Sequence, residues 1–276
     1  MNTSMAALIA VVLTFGAQAA DTNSETALLG AVPSEVQIPA GQVARELLEA
    51  VCPGHVALSR LGCNDWDQTT ESGSALRPHS ILGILPGHFL SAESDDVLVS
   101  AERGEGHADR YGGTLLMTRQ AGGWKPLWYH SGTITDRCMK ISALSRRDIP
   151  VCETAYIMGG HQTHDLYAIN VLAIEPNEQL LLSTDTFAWP NRAQKETLDS
   201  VRLLTKGGPG IEAKVHYFRG GNAAGDDLEQ VLQKTGEVHA VDFWLKDDAF
   251  VVAPGSAAFL KSFSAPRRNV NRWKTR

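Results

Sequence analysis

The stretch Asp96-Val97-Leu98-Val99 recurs in outline three more times along this 276-residue chain. Each copy places an aspartate ahead of a short apolar run, and the later copies begin at Asp148, Asp199 and Asp248, with spacings of 52, 51 and 49 residues. Short apolar runs separated by glycine, aspartate, asparagine and proline are typical of β-strands joined by turns. The repeated pattern therefore predicts an all-β body made of similar units, as in propeller blades.

Further apolar runs after the first three aspartates supply additional strands. They lie at residues 113–118, 165–171 and 212–218, and then at 124–129, 179–187 and 238–245. Because one small sheet cannot bury both of its faces alone, stacked copies would bury them for each other. We predict a propeller-like array of about four small antiparallel sheets over residues 81–263, with a β-sandwich as the alternative. The last run would either close a ring by pairing near residues 81–85 or form an edge.

The segment from Gly87 to Val99 resembles the FG-GAP repeat of integrin-type β-propellers and their bacterial secreted relatives. The matching residues are Gly87, Phe89, Asp95, Asp96, Leu98 and Val99. His88 stands where that family has an acid, and residues 90–94 lack its run of carboxylates. The resemblance implies a propeller-like fold in which the family's calcium site is absent or impaired.

The N-terminus has the layout of a secretory signal peptide. Residues 1–20 contain no Lys, Arg, Asp or Glu, and an apolar run from Ala6 to Phe15 leads to Ala17-Gln18-Ala19-Ala20. This run is shorter than the roughly 20 apolar residues that span a bilayer. We expect an exported protein, periplasmic or extracellular, without a transmembrane segment. Residues 21–80 then form a leader with a disulfide loop and one amphipathic helix over Gly41–Val51.

The four cysteines predict two local disulfides. An even count in an exported chain favours disulfides, and we expect the pairs Cys52–Cys63 and Cys138–Cys152. The polar turn at residues 145–147 would place Cys138 and Cys152 opposite each other in an antiparallel pair. Neither pair has the spacing of a zinc knuckle.

Charge is distributed unevenly. The net charge is −6, yet residues 261–276 carry six basic residues and no acid, so the rest of the chain carries −12. An acidic body argues against a nucleic-acid groove. The basic tail at 264–276 is expected to be a solvated terminus, with docking on an anionic envelope polymer as an alternative.

The loops joining the first and second strand-like runs of each unit are the predicted binding region. If the units are equivalent, loops 101–112, 154–164 and 205–211 emerge at one end, and binding residues accumulate on such loops. The candidate ligand-binding residues there are Glu102, His107, Asp109, Arg110, Tyr156, His161, His164, Asp165 and Lys206.

A metal site is the alternative use of the second loop. His161 and His164 are three residues apart, and Asp165 would supply a third ligand or orient a ring. A polar loop without metal is favoured, because nine histidines make a close pair unremarkable.

No Gly-x-Ser-x-Gly elbow and no glycine-rich nucleotide loop occurs in the sequence. We therefore expect a non-catalytic binding or scaffold module without a cofactor, whose ligand is an unidentified protein or carbohydrate. The alternative is a metal-assisted hydrolase or lyase that uses His161 and His164 with a divalent metal.

Overall fold

The computed structural model describes residues 30–64, 80–102, 112–131, 135, 137–158, 161–172, 177–185, 194–204, 206–219 and 237–262. The predicted signal peptide, the basic tail, and the candidate residues His107, Asp109 and Arg110 lie outside these ranges.

Three four-stranded antiparallel sheets form the body of the protein, and each is a meander in chain order. Sheet I contains β3 (Ser80–Gly87), β4 (Asp96–Glu102), β5 (Gly112–Gln120) and β6 (Gly123–Ser131). Sheet II contains β7 (Cys138–Ser142), β8 (Asp148–Met158), β9 (His161–Asn170) and β10 (Asn177–Asp185). Sheet III contains β11 (Gln194–Leu203), β12 (Gly210–Arg219), β13 (Glu237–Lys246) and β14 (Ala249–Val252).

A fourth, two-stranded sheet pairs β1 (Val56–Ala57) with β2 (Gly62–Cys63), on either side of a 3₁₀ turn at Leu58–Arg60. Helix α1 (Gly41–Val51) precedes it at the predicted position, and helix α2 (Pro254–Ser262) follows β14. Within the described ranges, neither helix has the length and apolar character needed to cross a membrane. The chain is thus all-β, an array of four small antiparallel sheets, and the arrangement is consistent with a propeller-like or a sandwich form.

Both predicted disulfides are present. Cys52–Cys63 joins the residue after α1 to β2, and Cys138–Cys152 joins residues directly opposite each other in β7 and β8. Two intramolecular disulfides are the usual mark of an oxidising environment.

Sheet II is the middle layer, because alternate residues of its strands point to opposite faces. Leu166 and Ala168 share one core with Phe243 of sheet III, whereas Tyr167 and Ile169 share another core with Leu116 of sheet I. The outer face of sheet I packs against α1, through helix residues that include Leu47 and Leu48. Complete burial of a leucine contributes about 2 kcal/mol.

The three sheets also share an N-terminal connection. Residues 30–37, here called the strap, run from sheet III past sheet II to sheet I and hydrogen-bond to the first strand of each, through Val201, Cys138 and Ile84. The sequence had suggested only a leader in this region. The strap protects edge strands, whose free backbone groups otherwise invite pairing with other chains.

The predicted repeat units do not all begin at the same place in a sheet. Asp96 and Asp148 each begin the second strand of a sheet, as expected of equivalent units. However, Asp199 lies inside the first strand of sheet III, and Asp248 precedes its last strand. The fourth predicted unit is therefore the end of the third sheet. β14 pairs with β13, and Ile84 of β3 is bridged by Gln37, so the suggested pairing of the last run with residues 81–85 is wrong.

Candidate functional site

The predicted loop at 154–164 is instead a β-hairpin. β8 continues to Met158, β9 starts at His161, and these two residues pair with each other. The polar run His161-Gln162-Thr163-His164, predicted as the end of a loop, is therefore strand. Tyr156 and His161 lie in these strands, and their side chains are outside the described part.

Two members of the proposed metal triad, His164 and Asp165, lie on opposite faces of sheet II. His164 and Asp165 are consecutive in β9, so their side chains point to opposite faces. The His164 ring is 2% exposed on the sheet III side, where Nδ1 lies 3.5 Å from Glu153 Oε1. Asp165 faces sheet I, and its Oδ1 accepts a hydrogen bond of 2.5 Å from Ser183 Oγ. His164 and Asp165 therefore do not share one metal site. The His161 side chain lies outside the described part, so its use as a ligand stays a prediction.

Lys206 lies at the other end of the array from the β8–β9 hairpin. Its turn contacts the end of β13, because the Leu245 N–H donates to the Pro209 carbonyl at 2.9 Å. The next turn holds Asp248, which pairs with Arg147 at the start of β8. At about 3.3 Å per residue, the start of β8 is about 30 Å from its end at Met158. The prediction that loop 205–211 joins loop 154–164 is wrong.

Glu102 ends β4, at the end of sheet I where the predicted loop 101–112 begins. Its Oε2 accepts a hydrogen bond of 2.7 Å from Ser80 Oγ. Ser80 is directly opposite Glu102 in the β3–β4 pair. The Glu102 carboxylate is therefore used in a contact within the β3–β4 strand pair.

A different set of turns comes together, and we call this region the turn end. It comprises residues 88–95, 143–147, 171–172, 206–209 and 247–248, at the ends of the three sheets opposite to the β8–β9 hairpin. Asp96 organises the first of these turns, since its buried Oδ2 accepts the N–H groups of Phe89 and Leu90 at 2.9 and 2.8 Å. Asp148 Oδ2 accepts the N–H of His88 at 3.0 Å, which ties sheet II to sheet I.

Arg147 connects all three sheets at the turn end. Its guanidinium is 5% exposed; Nη1 donates to the Phe89 carbonyl at 2.8 Å, and Nη2 lies 2.8 Å from Asp248 Oδ2. A buried guanidinium is stable only when paired and hydrogen-bonded. One side chain of sheet II therefore fixes a loop of sheet I and a turn of sheet III. Sequence reasoning had placed Arg147 only in a polar turn.

The surface of the turn end carries apolar side chains and charges of both signs. Leu144 is 90% exposed and Leu172 is 52% exposed. The exposed charged side chains of the same set of turns include the basic Arg146 and Lys206 and the acidic Glu93, Asp95 and Asp247. Single exposed apolar side chains are common on protein surfaces, but Leu144 is the most exposed large apolar side chain in the described ranges.

A second group of titratable residues lies between sheets I and II. Burial, and to a smaller extent the charge of Asp165, raises the pKa of Glu178 from 4.5 to about 7. The Nδ1 atom of His130, in β6, lies 3.5 Å from Glu178 Oε1. The Glu178 carboxyl and the His130 imidazole therefore meet where sheets I and II face each other.

The fold and these contacts define a disulfide-linked all-β protein built from small stacked sheets. Comparison with protein families, curated proteins and solved structures finds no significant match.

Proposed function

We propose that this protein is an exported, non-catalytic binding or scaffold module that presents the turn end to its ligand. The observation that carries the proposal is the position of Arg147, which holds turns from three sheets in one fixed arrangement. Loops fixed by a rigid framework are where binding residues accumulate. A fixed surface also binds at lower entropic cost than a mobile one.

The chemistry of the turn end favours a protein ligand over a carbohydrate. Leu144 and Leu172 supply apolar contact area, and the exposed charged side chains of the same turns are of both signs. Sugar sites depend more on aromatic faces. A partner with an apolar centre and a rim that carries charges of both signs would match this surface.

Export to the periplasm or the extracellular medium is supported by the two disulfides and by the signal-like N-terminus. The test is N-terminal sequencing of protein recovered from the exported fraction. The proposal expects a mature chain starting at Asp21. Recovery of the full chain, starting at Met1 and confined to the cytoplasm, would contradict it.

The binding proposal is tested with immobilised protein exposed to an extract of the exported fraction and to an array of labelled glycans. Leu144→Asp should lose a partner that the wild type retains. Val238→Asp is the matched control, because Val238 is also exposed, at 52%, but lies at the start of β13, away from the turn end. Equal retention by both variants would contradict the proposed surface.

A further inference from the structure

The strap is held at its first residues by a buried carboxylate. Glu153 is fully buried, and its Oε2 accepts the Val32 N–H at 2.9 Å while Oε1 accepts the Gly30 N–H at 3.3 Å. The Val201 N–H of sheet III donates to the Ala31 carbonyl at 2.7 Å. Val32 itself is buried in the core between sheets II and III. The start of the strap is thus held both by hydrogen bonds to its backbone and by burial of an apolar side chain.

The middle of the strap is recognised through an acidic side chain. The Glu35 N–H donates to the Cys138 carbonyl at 2.7 Å. Its carboxylate accepts the Lys140 backbone N–H at 2.8 Å and lies 3.3 Å from Lys140 Nζ. Glu35 therefore meets both a backbone donor and a positive charge of β7.

The last residues of the strap fit sheet I by shape and by pairing. Gln37 and Ile84 exchange two backbone hydrogen bonds, of 2.8 and 2.7 Å. Val36 fills the space beside Gly83, where an added Cβ would lie 2.5 Å from Val36 Cγ1. The absence of a side chain at position 83 makes room for a branched one at position 36.

We propose that the first strands of sheets I, II and III form a binding site for an extended peptide, filled in this chain by its own strap and open to the same peptide supplied in trans. Addition of an extended segment to exposed strand edges is a general mode of peptide recognition, with main-chain hydrogen bonds for affinity and side-chain sites for specificity. Here the ligand is an extended segment with a small apolar pair, an acid three residues further on, and a branched apolar residue next to the acid.

The test uses the full chain with a protease recognition site inserted between Ile38 and Pro39, where Ile38 is 67% exposed. The protein is folded first and cut afterwards, which leaves the strap as a separate peptide. We expect the fragment to remain bound through gel filtration and to be displaced by a fluorescein-labelled peptide of residues 28–38. Uptake is followed by fluorescence anisotropy and should be saturable.

Two lysine-bearing peptides give a matched comparison. The Glu35→Lys peptide should bind about tenfold more weakly, since it loses an ionic and a backbone contact. The Gln37→Lys peptide should bind as the wild type does, because Gln37 pairs through its backbone and its side chain is exposed. A Lys140→Glu receptor should regain part of the affinity for the Glu35→Lys peptide.

Three results would overturn the proposal. They are a cut protein that stays folded but takes up no labelled peptide, equal uptake of the two lysine peptides, and release of the strap with unfolding as soon as the chain is cut. The uncut chain gives an independent measurement: Glu35→Lys should lower Tm, and adding Lys140→Glu should recover part of the loss. Additive losses would count against the site.

Discussion

Arg147 of sheet II lies 2.8 Å from Asp248 of sheet III, at a turn position that local turn chemistry would assign to glycine. Asp247 and Asp248 both have positive φ, of 49° and 62°. Hairpin turns of this kind favour asparagine or aspartate followed by glycine. The aspartate at position 248 therefore has a tertiary role, because it neutralises a buried guanidinium.

Asp248→Gly should destabilise the protein although it relieves the turn. Removing the partner of a buried charge outweighs the gain in backbone freedom, and the expected loss in the free energy of unfolding is about 2 kcal/mol. Urea titration measures it. Asp247→Gly is the matched control and should change stability by no more than about 0.5 kcal/mol. A stabilised Asp248→Gly variant would show that the ion pair does not hold the turn end.

Glu178 should make stability depend on pH. Its folded pKa of about 7 lies above the ordinary value of 4.5. The folded state therefore binds the proton more tightly, and the stability this contributes is present below pH 4.5 and lost as pH rises to about 7. For the full shift the loss is up to about 3 kcal/mol.

The pH effect is measured as the difference between wild type and Glu178→Gln in urea titrations at pH 5 and pH 8. The stability of the variant relative to the wild type should be higher at pH 8 than at pH 5, because the variant has no carboxylate to bury. Asp165→Asn should lower the Glu178 pKa, since the Asp165 charge contributes to its rise. The nearby His130 imidazole is to be followed by NMR in the same titration. A pH-independent difference between wild type and Glu178→Gln would contradict the burial of this carboxyl.

Gly83→Ala should displace the strap from sheet I. The new methyl group would overlap Val36, and overpacking of this kind costs about 1–3 kcal/mol. Combining it with Val36→Ala should cost less than the sum of the two single changes, which a double-mutant cycle measures. Gly122→Ala is the control, because no atom lies within 4 Å of its added Cβ. Strict additivity of the Gly83 and Val36 changes would mean that the two residues do not pack together.

Glu153→Gln should loosen the start of the strap. The amide group cannot accept both the Gly30 and the Val32 N–H groups, and a buried donor left unpaired costs about 1–3 kcal/mol. Hydrogen exchange should show faster exchange at Val32 than in the wild type. The Ile84 amide, which pairs with Gln37, serves as the internal reference for the other end of the strap. Unchanged protection at Val32 would contradict the role of Glu153.

Much of the local structure is readable from the sequence. The apolar spacing over Gly41–Val51 predicted α1, and the four cysteines predicted the two local disulfides that form. Most strands of sheets I and II follow from β-branched and apolar runs between turn residues. The helix, the disulfides and these strands are determined by short stretches of sequence and by packing within them.

The errors arise where polar residues are buried or where tertiary contacts decide. Residues 161–164 were interpreted as a loop because they are polar, yet His164 is buried against Glu153 in the middle of a hairpin. The third predicted unit was placed wrongly relative to sheet III, because Asp199 precedes an apolar run that lies within a strand and not at its start. The roles of Arg147 and of the strap depend on partners far away in the sequence, which periodicity cannot reveal.

Site-specific photocrosslinking in cells that export the protein tests the central claim most directly. A photoreactive residue at position 144, in the turn end, should give a discrete adduct with a partner, whereas the same residue at position 238 should give none. Both positions are exposed, at 90% and 52%, so accessibility alone does not separate them. Adducts of equal yield at the two positions, or an adduct at position 238 alone, would contradict a binding surface at the turn end.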